Sequence, residues 1–488
     1  MTKVLTLLDK TKSEFKNFAS LSFFQKCDII SLGFLFVFFI DCAFSGGGKL
    51  FQLIGPLTLR MLTGGLALLF SLPKLFKNLK TYVKKPIFYM LLAFVVFLGF
   101  CAIRGYLAKN HMGVLASDIK GFMWLFTVPA LVVTVDTKER FNKILTAIVI
   151  GASLQAILVL GVYFACCADS NALKLFYTPM LDLQIGTVSF IADNVYRLFM
   201  RSSPYLITAC AIIIFRQIKR DKLKWHYIIG ASIFLLCIVM SFTRSLFGAT
   251  FIVIATVVLF VLIFFRSKIK MLFKSILCIA AVTIFMVSAL ECIYDASYVN
   301  FAISRTLGTP VKTSVIVVAK YKIKNAILGS TLDNEKPSQD SSPDSDNLNN
   351  LNNYMQETED SDNIRAITKA ELKELIVKNP IIGNGLGACS KTRNGPDEYF
   401  YYDMLARMGI IGLALYVAPF IYICIVVLKR RKVLPDHPEC AALLSAMIGF
   451  WLITWFNPWM NAILGIAVYA LSCSIVTLFK QKSLDKNA

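Results

Sequence analysis

HYIIGASIFLLCIVMSFTRSLFGATFIVIATVVLFVLIFF, residues 226–265, decides the fold. A hydrocarbon core about 30 Å thick is crossed by roughly 20 apolar residues in a helix that rises about 1.5 Å per residue. This stretch is long enough for two crossings, and its one Arg, Arg244, falls in the turn between them, flanked by Thr243 and Ser245. Comparable apolar blocks lie at about 28–45, 51–72, 86–103, 119–135, 141–166, 203–216, 271–290, 404–428, 439–456 and 458–479. With 226–243 and 245–265 they make twelve expected spans. The expected fold is an all-α integral membrane protein of about 12 transmembrane helices, with one large outer loop between spans 9 and 10.

Composition agrees. Of 488 residues, 57% are hydrophobic and 17% charged, with a mean hydropathy of +0.65. A soluble domain carries roughly a quarter charged and about 45–50% apolar residues. The net charge of +21 does not point to nucleic acid, because its distribution reads as topology. Lys and Arg of short loops stay on the cytoplasmic side. Basic residues fill the N-terminal tail from Lys3 to Lys26, then 74–85, 138–143, 216–224, 266–274, 429–432 and the tail from Lys480 to Lys486. Every second connection is therefore basic, as both termini in the cytoplasm require. The first apolar run leads straight into a second span without a small-residue cleavage pattern, so no cleavable leader is expected. The resulting division is a tail at 1–27, spans 1–9 within 28–290, the outer loop at 291–403, spans 10–12 within 404–479, and a tail at 480–488.

Two outer connections are long. Residues 167–202 read as an amphipathic segment on the membrane face. In the loop at 291–403 the middle, 332–363, is rich in Ser, Asp, Asn and Glu and reads as a flexible linker. Residues 364–377 then show helical spacing that ends at Asn379–Pro380. Most of the 13 Cys fall within spans, where they behave as small apolar residues. Cys292 and Cys389 share the outer loop and are either bridged or free. No Cys or His pair has metal-ligand spacing, so neither a metal nor another cofactor is expected.

Three stretches place charge or turn residues at the outer interface. Arg244 is one: at that depth an Arg pairs, snorkels or binds an anion. Arg197 and Arg201 are four apart, so on a helix they would share a face; they fit a diphosphate grip or two headgroup anchors. The third runs from Asn379 to Gly412. Pro380, Gly383, Gly385 and Gly387 demand a tight backbone path, and Asp397, Glu398 and Asp403 follow with Tyr399, Tyr401 and Tyr402. Acids beside rings suit sugar binding and proton abstraction from a hydroxyl; an aromatic belt with a helix cap is the plainer reading.

Taken in order, Arg201, Thr243–Arg244–Ser245, Arg365, Pro380–Gly383–Gly385–Gly387 and Gly409–Gly412 resemble the O-antigen ligase and polymerase superfamily of membrane glycosyltransferases, over roughly 195–425. The resemblance implies a bacterial inner-membrane protein whose site faces the periplasm. It implies inverting, metal-independent transfer of a glycan from a polyprenyl-diphosphate carrier to lipid A–core, or, in a polymerase, to another lipid-linked repeat. Transfer to protein is a third option within the family, and a chain-length regulator is an implied partner. Arg201, Arg244 and Arg365 would hold the diphosphate with Arg197 in support, and Glu398 would serve the acceptor hydroxyl, with Asp397, Tyr399 and Asp403 binding substrate. One position departs: where many members carry His-Asn, this chain reads Glu398–Tyr399. Its three His lie elsewhere, His226 and His437 on the cytoplasmic side and His111 outside. A transporter or flippase, or a sensor or scaffold built on the outer loop, are the readings from other classes; no internal half-repeat supports the first.

Overall fold

The computed structural model describes residues 20–169, 171–192, 195–294, 298, 299, 302, 363–392 and 399–484. The chain runs through α1 (Phe23–Ser45), a small hairpin of β1 (Gln52–Ile54) and β2 (Leu57–Thr58), α2 (Leu59–Lys77), α3 (Leu79–Val83) and α4 (Pro86–Leu107). Next come α5 (Met112–Met123), α6 (Thr127–Thr134), α7 (Lys138–Ala168) and α8 (Asn171–Asp182). A second hairpin, β3 (Gly186–Ala192) with β4 (Val195–Met200), precedes α9 (Ser203–Ile218), α10 (Trp225–Met240), α11 (Arg244–Phe264) and α12 (Ile269–Tyr294). A helix over 363–378, here α13, leads by a glycine-rich turn towards α14 (Phe400–Lys429). The last helices are α15 (Pro438–Ile453), α16 (Ile463–Cys473) and α17 (Ile475–Leu484).

Among the described residues, eight helical stretches are long and apolar enough to cross a membrane. The remaining apolar helices, at Ser203–Ile218, Trp225–Met240, Pro438–Ile453 and Ile463–Phe479, coincide with expected spans but are shorter. Sixteen residues, as in α9 and α15, reach about 24 Å at 1.5 Å per residue, less than the hydrocarbon thickness. Position accounts for this in α9, α15 and α16, whereas α10 buries half of its residues. Nearly every residue of α9, α15 and α16 is buried, so protein, not lipid, satisfies the backbone groups at their ends. By contrast, α4 and α12 carry an exposed apolar face, including Phe100, Ile103, Leu277 and Phe285. In a soluble protein such a surface would be untenable; against acyl chains it is the expected exterior.

Two features differ from the expected all-α fold. The apolar block at 51–72 does not begin as a helix: Gly46, Gly48 and Gly55 have φ of 63°, 86° and 53°, and the chain forms the exposed β1–β2 hairpin before Thr58 caps α2. The segment at 167–202 forms α8 and then the antiparallel β3–β4 hairpin, with Ser189 opposite Arg197. Residues 186–192 and 195–200 are rich in Val, Ile, Phe and Tyr, residue types that favour strands, and pairing between the two runs overrides their amphipathic spacing.

Polar contacts sort the helix ends into two layers. At the end bearing the basic connections, Lys74 bonds Asp28 at 2.9 Å and Asp136 at 2.8 Å, and Arg140 joins the same two carboxylates. At the other end Arg60 lies 2.8 Å from Asp41, both side chains almost wholly buried. Arg60 also donates to the Ser45 hydroxyl and the Gly46 carbonyl, at 2.8 and 2.9 Å. Asp41 and Arg60 thus neutralise each other and tie α1 to α2.

Candidate functional site at the loop end

The 241–245 turn is built under strain. Phe242 has φ +46°, a left-handed conformation rare for a bulky residue, and it is held there by burial and by stacking on Tyr298 at 5.7 Å. The turn makes Arg244 the first residue of α11, with its side chain exposed and no side-chain cap from Thr243. Positive charge at a helix N-terminus opposes the helix dipole. A bound anion would interact favourably with both.

Arg197 reaches the same turn. Its Nε donates to the Ser241 carbonyl at 3.2 Å, and its guanidinium lies 5.9 Å from the Phe199 ring, two residues along on the same strand face. The expectation that Arg197 and Arg201 share a helix face is therefore corrected. Arg197 belongs to β4 and Arg201 to the turn after it, because the hairpin pairs residues that helical spacing would have aligned. The Arg201 amide donates to Ile185 at 2.9 Å, and Ser202 Oγ donates to the Phe44 carbonyl at 3.0 Å. Arg201 itself is exposed beside Gly46, where an added Cβ would come 3.0 Å from the Arg201 Cβ.

On the other side of this end stands the glycine-rich turn. Gly383, Gly385 and Gly387 have φ of +70°, +89° and +81°. A Cβ at Gly383 would overlap the Arg407 carbonyl, and one at Gly385 the Gly105 amide. The turn enters a break in α14, where Gly409 has φ 63° and ψ −169°. There the amides of Ile410 and Ile411 donate to the carbonyls of Pro380 and Ile381, at 2.9 and 3.1 Å. Asn384 fastens the arrangement by donating to Leu375 at 2.7 Å and Ala406 at 2.9 Å. Beneath it, buried Arg407 bonds Asp118 at 2.9 Å and lies 3.3 Å from Asp403. The other Asp118 oxygen accepts the Gly387 amide at 3.0 Å.

Asp403 is therefore an interior carboxylate, 1% exposed and beside Arg407. Asp397 and Glu398 lie outside the described residues. Tyr399 precedes α14 and packs edge-on to Tyr402 at 5.8 Å, and Lys369 lies over the Tyr402 ring at 5.3 Å. Arg365 sits half-buried one turn earlier on α13. The end of the glycine-rich segment returns to this helix, where the Thr392 amide and then its hydroxyl, at 3.0 and 2.9 Å, hold the Glu371 carboxyl below its ordinary range.

The described contacts thus join Arg197 to the Arg244 turn and tie the helix bearing Arg365 to the Tyr402 side. Residues 454–461 link these two sides. Asn457 donates to Ser245 Oγ at 3.1 Å, and Trp455 lies 5.0 Å from the Tyr401 ring. Sequence reading missed Asn457, Trp455, Asp118 and Arg407. An Asn-Pro pair between two apolar blocks was the one available signal for Asn457. Cys292 and Cys389 are not joined in a disulfide, and the described residues contain no cluster of three potential metal ligands.

Fold and surface together define a polytopic helical membrane protein with cations and aromatic rings gathered at the end opposite its basic connections. Neither a protein-family model nor a curated protein matches the chain.

Proposed function

We propose that the chain is a membrane glycosyltransferase that moves a glycan from a polyprenyl-diphosphate carrier onto lipid A–core, acting at the periplasmic face of a bacterial inner membrane. Both termini are then cytoplasmic and all twelve apolar segments are spans. The observation that carries this reading is the joining of Arg197 to the strained turn that begins α11 with Arg244. Two guanidinium-bearing elements meet at the membrane surface, which suits a diphosphate better than a single anchoring charge does.

In this mechanism Arg244, Arg201 and Arg365, with Arg197 in support, stabilise the charge that develops on the departing polyprenyl diphosphate. Glu398 takes the proton of the acceptor hydroxyl, which attacks the anomeric carbon with inversion. Tyr399 and Asp397 contact the sugars. Asp403 acts from beneath by holding Arg407. Two unit charges 4 Å apart interact by about 4 kcal/mol at an effective dielectric of about 20, so loss of one clamp Arg should slow transfer by roughly a hundredfold or more.

A second reading is a polymerase that joins lipid-linked repeats. It is favoured by Glu398–Tyr399 standing where ligase-like members carry His-Asn. A transporter is less well supported, because Asp41 and Arg60, two charges within early spans, neutralise each other. Complementation separates the readings. In a ligase-deficient strain the wild type should restore the glycan ladder on lipid A–core, while Arg244→Ala and Glu398→Gln at equal membrane abundance should not. Extension of single repeats only in a polymerase-deficient strain would select the polymerase. Full activity of both variants would overturn the site.

A further inference from the structure

The loop end also holds an open polar cavity of about 340 Å³ whose walls include none of the arginines assigned above. They come from the end of α4 and the turn beyond it (Arg104, Asn110, His111), the end of α13 (Lys378, Asn379) and the glycine-rich turn (Asn384). These segments are fixed to one another. Asn110 donates to the carbonyls of Asn384 and Leu386 at 3.1 and 3.0 Å, and Asn379 donates to Asn384 Oδ1 at 2.6 Å. His111 accepts the Val114 amide through Nδ1 at 3.3 Å, which leaves Nε2 for another contact. A preformed wall of this kind binds without paying to order itself.

Its chemistry is one-sided. Among the described residues that line it, Arg104 and Lys378 are cations and none is a carboxylate. Asp118, behind Gly387, directs one oxygen to the Gly387 amide and the other to Arg407. The described bonds of Asn110 and Asn379 use their amide nitrogens, so their carbonyl oxygens are the acceptors suited to a ligand hydroxyl. The volume lies at the small end of the roughly 300–1,000 Å³ typical of ligand pockets, a size for one sugar ring and not for an oligosaccharide.

We infer that this cavity binds a single acidic sugar residue, a pyranose bearing a carboxylate or a phosphate. Arg104 and Lys378 hold the anionic group, and the carbonyl oxygens of Asn110 and Asn379 accept from ring hydroxyls. The inference rests on the cavity and holds whether or not the chain transfers glycans.

Calorimetric titration of the purified full chain in detergent tests it with glucuronate, glucose 1-phosphate, glucose and inorganic phosphate. At least one acidic sugar should bind tenfold or more tightly than both glucose and phosphate, and binding of only one fixes which anion the site takes. The Arg104→Ala/Lys378→Ala variant should lose at least tenfold in that affinity. Equal binding of glucose, equal binding of phosphate alone, or no binding of either acidic sugar would overturn the site, as would wild-type affinity in the double variant. If that variant is not monodisperse, Lys378→Glu at the exposed helix end decides instead: an unchanged affinity rejects the site and a tenfold loss supports it.

Discussion

Arg60 and Arg407 are the residues in which charge and burial are most directly opposed. Each is almost wholly removed from solvent, and each meets a carboxylate across a gap between helices, Asp41 for Arg60 and Asp118 for Arg407. Removing one member of such a pair leaves a buried uncompensated charge, at a cost of about 3–5 kcal/mol, whereas replacing both with apolar residues is often nearly neutral. Arg60→Ala should therefore lower the unfolding midpoint in detergent markedly, and Asp41→Leu/Arg60→Met should recover part of that loss. A double variant no better than the single one would mean that Ser45 and Gly46 depend on the guanidinium itself. Neither pairing was visible in the sequence. Asp118 lies just before the expected span at 119–135 and Arg407 within the one at 404–428, and no local pattern tells which helix will face which.

At the scale of elements, α14 is one helix by apolar pattern and two by backbone. Gly409 interrupts it with a φ, ψ combination open essentially to glycine, and the segment 380–383 supplies the carbonyls that the break requires. Gly409→Ala should disrupt this docking, because the added Cβ would overlap the Ile381 carbonyl. Amide exchange at Ile410 and Ile411 should then speed up, while exchange in the middle of α9 stays slow; unchanged protection would show that the break tolerates a side chain. The glycine spacing did announce a special turn at 383–387, since only certain backbone paths need glycine at alternate positions. It did not say that the turn would complete another helix. The opposite error occurred at Arg197 and Arg201, where four-residue spacing suggested one helical face. Strand pairing with 186–192, a contact between separate segments, decided otherwise.

For the molecule as a whole, the alternation of basic and non-basic connections makes a prediction independent of any enzymatic role. In a chain freed of its reactive cysteines, single Cys residues at exposed Lys174 and Lys391 should react with a membrane-impermeant maleimide added to one side of a sealed membrane. Residues Lys84 and Lys432, also exposed, should yield Cys variants that react from that side only after the membrane is opened. Labelling of all four before the membrane is opened would reject the twelve-span path. Of the helices too short to cross unaided, α9 and α15 are buried on nearly every side, whereas α10 buries half of its residues. Hydropathy located all three, but a central position explains why α9 and α15 need not match the bilayer thickness.

The sequence by itself determined that the chain lives in a membrane, where its apolar helices run, and which connections carry the basic residues. These are local properties: transfer energy and chain length add up along the sequence without reference to partners. Only the tertiary structure decided that Asp118 meets Arg407, that Arg197 reaches the Arg244 turn, and that Asn457 joins that turn to the aromatic side of the loop end. Such contacts depend on which helices become neighbours. A low-dielectric interior makes correct pairing of charge favourable and leaves an unpaired charge costly, but nothing in the order of residues states in advance which two will meet.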